Sequence, residues 1–326
     1  MQRRHLLGAV GAAAWWPGTL ARVLPAADEP WTDAARDRTL PMRVRWPDGE
    51  DACGAIVHSH GLGGSREGGD AWGGAWRDAG FLVMHVQHPG SDSQAFRDGG
   101  MGALREATRP EQLVARVADM RFVIDEIERR ARERRGLWSR VRLDAIGASG
   151  HSYGAVTVQA IAGKRYPVPA PGFVEPRCRA FVAFSPSPDR QGRLSLAQQF
   201  GAIDRPFLAI TGSLDGDPLR GRGGVELGPE SRASVYDGLP AGQRALLWLD
   251  GADHMTFGGN AERRLAARWG PFKRAPEVAA REPGHHALVA RITGQWWRAH
   301  LLGDAAAAAA LRSPPGLGSG DRWRSD

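Results

Sequence analysis

Lysine is almost missing from this chain: Lys164 and Lys273 stand against 41 arginines in 326 residues, and the net charge is +7. The arginines are not gathered into one patch. They are interleaved with acids, as in the run from Glu126 to Arg135, which reads as a solvated helix face carrying i,i+4 ion pairs. No recognisable nucleic-acid module accompanies the charge, so nucleic acid is not an expected partner. A weak attraction to anionic membrane or cell-envelope surfaces is what the charge leaves. Cysteine is equally scarce. Cys53 and Cys178 are too few for a disulfide framework. Each precedes an apolar strand-like run, and as third and sixth strands they would have another strand between them. Two strand spacings of about 4.8 Å exceed disulfide reach, so two buried free thiols are expected.

A membrane-spanning run is also lacking. Leu6 to Trp16 is apolar but too short to cross a bilayer as a helix. Following the basic start Met1-Gln2-Arg3-Arg4-His5, it reads as an export signal over residues 1–26, with Ala21 or Ala26 closing candidate cleavage sites. The pair Arg3-Arg4 resembles a twin-arginine signal, and the mature protein is expected in the periplasm or outside the cell. No internal repeat is visible. The remaining composition, 42% hydrophobic and 24% charged, is that of an ordinary globular protein.

Along the chain, apolar strand-like runs alternate with helical segments. An edge strand is expected within 31–46, and buried strands at 54–60, 81–86, 143–148, 179–184, 206–211 and 245–249. Helices are expected at about 70–79, 111–135 and 284–302, with a loop from 88 to 110. This order predicts an α/β fold, a mostly parallel central sheet with helices on both faces. The domain is expected over 27–303, and 304–326 reads as a frayed helix and disordered tail.

The pattern turns on Gly150-His151-Ser152-Tyr153-Gly154, a G-x-S-x-G turn between a strand and the helical run Ala155–Ala162. In a nucleophile elbow the serine sits at a sharp apex, and the glycines admit close strand–helix approach. A serine hydroxyl needs a base, and the base needs an orienting carboxylate. Both follow in the chain order Ser, acid, His. After the strand ending at Thr211 come Asp215 and Asp217; Asp215 is preferred because it lies at the first bend, with Asp217 kept as the alternative. His254 follows the last strand and is the expected base. Backbone amides of Tyr153 and of Leu62, in His60-Gly61-Leu62-Gly63-Gly64, would form an oxyanion hole. No G-K-[ST] follows that loop, so it is not a phosphate cradle. His58, His60, Asp253 and His254 lack zinc-type spacing, and no metal or cofactor is expected.

These segments resemble the α/β-hydrolase superfamily, and within it the platelet-activating-factor acetylhydrolase and dienelactone-hydrolase-like serine esterases. The resemblance rests on Ser59-His60-Gly61-Leu62-Gly63, Gly80-Phe81-Leu82-Val83, Gln87 to Asp92, Arg109-Pro110, the elbow, and Gly251-Ala252-Asp253-His254. It spans about residues 31 to 302. Tyr153 stands where the family more often has Phe. The resemblance implies the α/β-hydrolase fold and cofactor-free cleavage of a small-molecule or lipid-like carboxylic ester, short-chain acyl or acetyl favoured, through an acyl-serine intermediate. Segments 88–110 and 255–283, with Phe96, Met101, Met255, Phe257 and Trp269, would line its pockets. Alternatives on the same scaffold are a peptidase, a thioesterase or a non-catalytic envelope binding protein.

Overall fold

The computed structural model describes residues 25–167, 172–189, 191–217, 227–259 and 274–326. The expected export segment, except for its last two residues, and Trp269 lie outside them. The described chain opens with a hairpin, β1 (Ala27–Asp33) and β2 (Arg38–Arg45), and then β3 (Cys53–Ser59). Helix α1 (Asp70–Asp78), β4 (Phe81–Val86), α2 (Ser93–Ala107) and α3 (Pro110–Glu133) follow, then β5 (Val141–His151) and α4 (Tyr153–Ala162). Next come β6 (Cys178–Phe184), α5 (Leu196–Phe200), β7 (Phe207–Leu214), α6 (Pro229–Ala233), α7 (Val235–Gly238) and β8 (Arg244–Asp253). Helices α8 (Pro276–Leu302) and α9 (Ala305–Leu311) and strand β9 (Arg322–Ser325) complete it.

The nine strands form one sheet in the order β1-β2-β4-β3-β5-β6-β7-β8-β9. The run from β4 to β8 is parallel, while β1, β2 and β9 add antiparallel edges. This is the mostly parallel α/β architecture that alternating strands and helices predict. Period-2 alternation divides β3 between two cores. Ala55 and Val57 join Val117 and Met120 of α3 and Val158 and Ile161 of α4. Ile56 faces Trp72 and Trp76 of α1 with Val289, Ile292 and Trp297 of α8. Both faces are therefore covered, which explains why the central strands read as unbroken apolar runs. Cys53 and Cys178 are buried free thiols, on β3 and β6 with β5 between them.

Three segments differ from the sequence expectation. The single edge strand is a two-strand hairpin, and β2 is interior to β1. The stretch expected as a loop at 88–110 contains α2, because the Asp92 side chain caps it by accepting the Ala95 amide at 3.0 Å. The chain beyond residue 303 is ordered. Asp304 caps α9 through the Ala306 and Ala307 amides, and Ala307 and Leu311 are buried. Strand β9 then pairs with Ala245–Trp248 of β8, setting Arg322 over Trp248 and Arg324 over Tyr236. An alanine run has the highest intrinsic helix propensity, and an unpaired β8 edge offers the last residues a ladder.

Candidate active site

Ser152 sits between β5 and α4 with φ 56° and ψ −112°, a conformation that costs a non-glycine residue about 1–3 kcal/mol. Its surroundings impose it. The Ser152 amide donates to the Phe184 carbonyl at 2.9 Å. A Cβ on Gly154 would overlap the Ser59 carbonyl, and one on Gly150 would overlap Gly154. Strand, turn and helix thus approach as only glycine permits.

The other two groups arrive from the ends of β7 and β8. A Cβ on Gly212 would lie 2.5 Å from the Ala252 carbonyl, so glycine there lets the two strands close up, where their register also shifts. Beyond that pinch His254 Nδ1–H donates to Asp215 Oδ1 at 2.8 Å, and Ser152 Oγ–H donates to His254 Nε2 at 2.9 Å. Of the two candidate carboxylates, Asp215 meets the imidazole; Asp217 is also buried. The Asp215 carboxylate is fully buried, which pushes its pKa up. The Arg232 guanidinium at 3.1 Å and the His254 hydrogen bond outweigh that and hold it below the ordinary range. Thr211 Oγ1–H donates to its other oxygen at 2.8 Å.

The loop 61–64 lies against the elbow: a Cβ on Gly61 would be 3.4 Å from Ser152 Cβ. Gly63 takes φ +69° and donates to the Ser91 carbonyl at 2.9 Å. Among the described residues, neither the Leu62 amide nor the Tyr153 amide has a hydrogen-bond acceptor. The structure thus brings Ser152, His254 and Asp215 into one relay, with the loop of Leu62 packed against the elbow and two amides that have no acceptor among the described residues. Such a relay can move a proton from Ser152 Oγ to His254 while Asp215 holds the imidazole tautomer.

The residues expected along the pockets are divided. Phe96, on α2, packs over Gly63. Met255 is half-buried, and Met101 belongs to α2. Phe257 is buried in the α1/α8 core. Among the described residues no group of three or more His, Cys, Asp or Glu is arranged to hold a metal ion. His58 instead pairs with Ser149 Oγ at 2.8 Å, and His60 with backbone groups.

Four residues support the site in roles that the sequence reading does not assign. Arg232 is one arginine among many, on a five-residue helix, and nothing in the sequence marks it. His151, inside the elbow, donates from Nε2 to the His254 carbonyl at 3.0 Å and steadies the loop that carries the imidazole. Arg116 and Asp119 lie on the buried face of α3 with Val117 and Met120. Charges at those positions of an apolar stripe were a readable signal. No protein-family model and no curated protein matches the chain.

Proposed function

We propose that this protein is a serine hydrolase of the α/β-hydrolase type that cleaves carboxylic esters, with short-chain acyl or acetyl esters favoured. The observation that carries the reading is the Ser152–His254–Asp215 relay, with the Leu62 and Tyr153 amides finding no acceptor among the described residues. The strand order from β1 to β8, with the three groups at the ends of β5, β7 and β8, supports the scaffold. Family resemblance of the sequence segments supports the ester class.

In the first half-reaction Ser152 Oγ adds to the ester carbonyl carbon as its proton passes to His254 Nε2. The carbonyl oxygen becomes an oxyanion, met by the Leu62 and Tyr153 N–H groups. Asp215 keeps the second imidazole proton on Nδ1 and stabilises the imidazolium. Collapse expels the alcohol, which takes the proton from His254, and leaves the acyl group on Ser152. Water then repeats the sequence and releases the acid. The reaction needs no cofactor.

The test is hydrolysis of p-nitrophenyl esters from acetyl to dodecanoyl by the protein and its Ser152→Ala variant. Fastest turnover on acetyl and butyryl esters, lost in the variant, is expected. Equal rates for both proteins would refute the reading, and a preference for long chains would refute the short-chain assignment. We also propose export. Among the described residues no helix is long and apolar enough to cross a membrane. Intact mass of the periplasmic protein should show a start after Ala21 or Ala26, and a start at Met1 would contradict export.

A further inference from the structure

His60 stands immediately after β3, one residue before Gly61, which lies against Ser152. It is fully enclosed, and backbone groups engage both its ring nitrogens. The His88 amide donates to Nε2 at 3.0 Å, and Nδ1 meets the Gly61 carbonyl at 2.6 Å. An amide can only donate, so a neutral His60 carries its proton on Nδ1 and donates it to that carbonyl. Burial, and then the Arg116 charge, hold the imidazole neutral by pushing its pKa well below the ordinary value. The Gly61 oxygen receives a second donor, the Gly64 amide at 3.0 Å. In a trans peptide the C=O and the following N–H point to opposite sides. Two donors clamping the Gly61 oxygen therefore fix the direction of the Leu62 N–H. Donors on that oxygen also polarise the same peptide group, which strengthens its N–H as a donor.

Resting on the hydrolase reading, we propose that His60 is a positioning residue that pre-aims the Leu62 amide at the oxyanion by holding the Gly61 carbonyl. The clamp is itself anchored by one buried guanidinium. Arg116 donates to the His60 carbonyl; it also donates to Ser59 Oγ and Ser91 Oγ, both at 2.9 Å, and to Thr157 Oγ1 at 3.0 Å. It thereby ties the turn, the segment that receives the Gly63 amide, and α4 into one unit. An oxyanion donor that is already aimed reorganises little in the transition state, and this is the source of its effect.

Two near-isosteres separate the ring nitrogens. His60→Asn places an amide N–H close to the Nδ1 position and can still donate to Gly61. His60→Gln places its amide oxygen near the Nε2 position and can still accept from His88, but it loses the Gly61 donor. We would measure kcat and KM for p-nitrophenyl acetate, normalised to active sites titrated with a phosphonate, together with Tm. His60→Gln is expected to lose about 10–100-fold in kcat with KM within about threefold, because the donor is misaimed and not removed. His60→Asn should keep kcat within about threefold on the same basis. Equal losses in both variants, losses that track Tm, or no loss in His60→Gln would overturn the proposal. Should the Gln variant not fold, Gly64→Ala replaces it. Its methyl would press at 3.0 Å on both His60 Nδ1 and the Gly61 oxygen. A kcat loss of about tenfold at unchanged KM is expected there, and an unchanged kcat would overturn the proposal. An inactive wild type would instead count against the hydrolase reading itself.

Discussion

Among the described residues there are two Ser–His–Asp relays. In one, Ser152 meets His254 at 2.9 Å and His254 meets Asp215 at 2.8 Å. In the other, Ser59 Oγ meets His88 Nε2 at 3.0 Å and His88 Nδ1 meets Asp119 Oδ2 at 3.0 Å. Judged by those distances alone they are the same device. They differ in what surrounds the serine. Ser59 lies in the regular backbone of β3, is completely enclosed, and accepts the Arg116 guanidinium on its oxygen. Ser152 is part-exposed on a strained turn, beside the Leu62 and Tyr153 amides. The carboxylates differ as well. Asp119 binds Arg36, Arg38 and His88 at once; although burial pushes its pKa up, His88 and Arg38 bring it down to about 2. The buried relay spends its polar groups on holding β2, β3 and α3 together. What makes the other a candidate for chemistry is an approachable oxygen with free donors beside it, not the relay geometry.

Substitution at the two serines should divide the relays most widely. Ser152→Ala is expected to lower kcat by several orders of magnitude with little change in stability. Ser59→Ala should leave kcat within about tenfold but cost about 1–3 kcal/mol in urea unfolding, because Arg116 and His88 each lose a buried partner. The carboxylates should part in the same way. Asp215→Asn would favour the wrong imidazole tautomer and lower kcat by about 10⁴-fold. Asp119→Asn would keep most of the rate but lose about 3–5 kcal/mol, since the cations it neutralises are left uncompensated.

The pH dependence of stability isolates the buried side further. Burial, then the Arg116 charge, hold the pKa of His88 down at about 4, and burial does the same for His85. In the unfolded chain both take up a proton near pH 6.5, so that state binds more protons between the two values and stability falls as pH drops from 6.5 to 4. The expected loss is on the order of 3 kcal/mol for each histidine. Urea midpoints at several pH values would measure it, and His88→Gln should flatten the slope. The smallest effect belongs to a region remote from both relays. Leu311→Ala should cost about 2 kcal/mol by opening a cavity under α9, with activity unchanged; an unchanged urea midpoint would mean that the tail is not docked.

The legible parts of this molecule are those written in consecutive residues. The elbow needs its glycines around Ser152, Asp215 follows Gly212 at a strand end, and His254 directly follows the last long strand. Each could be placed by order and spacing. Long-range support could not. Arg232 reaches Asp215 from a short helix with no pattern of its own. The clamp on Leu62 joins His60, His88 and Arg116 across β3, the segment after β4, and α3. The tail misled because its residues are polar, glycine-rich and alanine-rich, and only the presence of the β8 edge makes them order. Helix α2 was hidden by the glycines at positions 99, 100 and 102, one of which, Gly100, kinks it.

The most direct measurement is phosphonate labelling followed by intact-mass and peptide mapping, on the wild type and on Ser152→Ala. One adduct, on Ser152, and none in the variant with Ser59 still present, is the predicted result. Labelling that persists in Ser152→Ala, or a folded wild type that takes up no phosphonate, would contradict the assignment of Ser152 as the nucleophile.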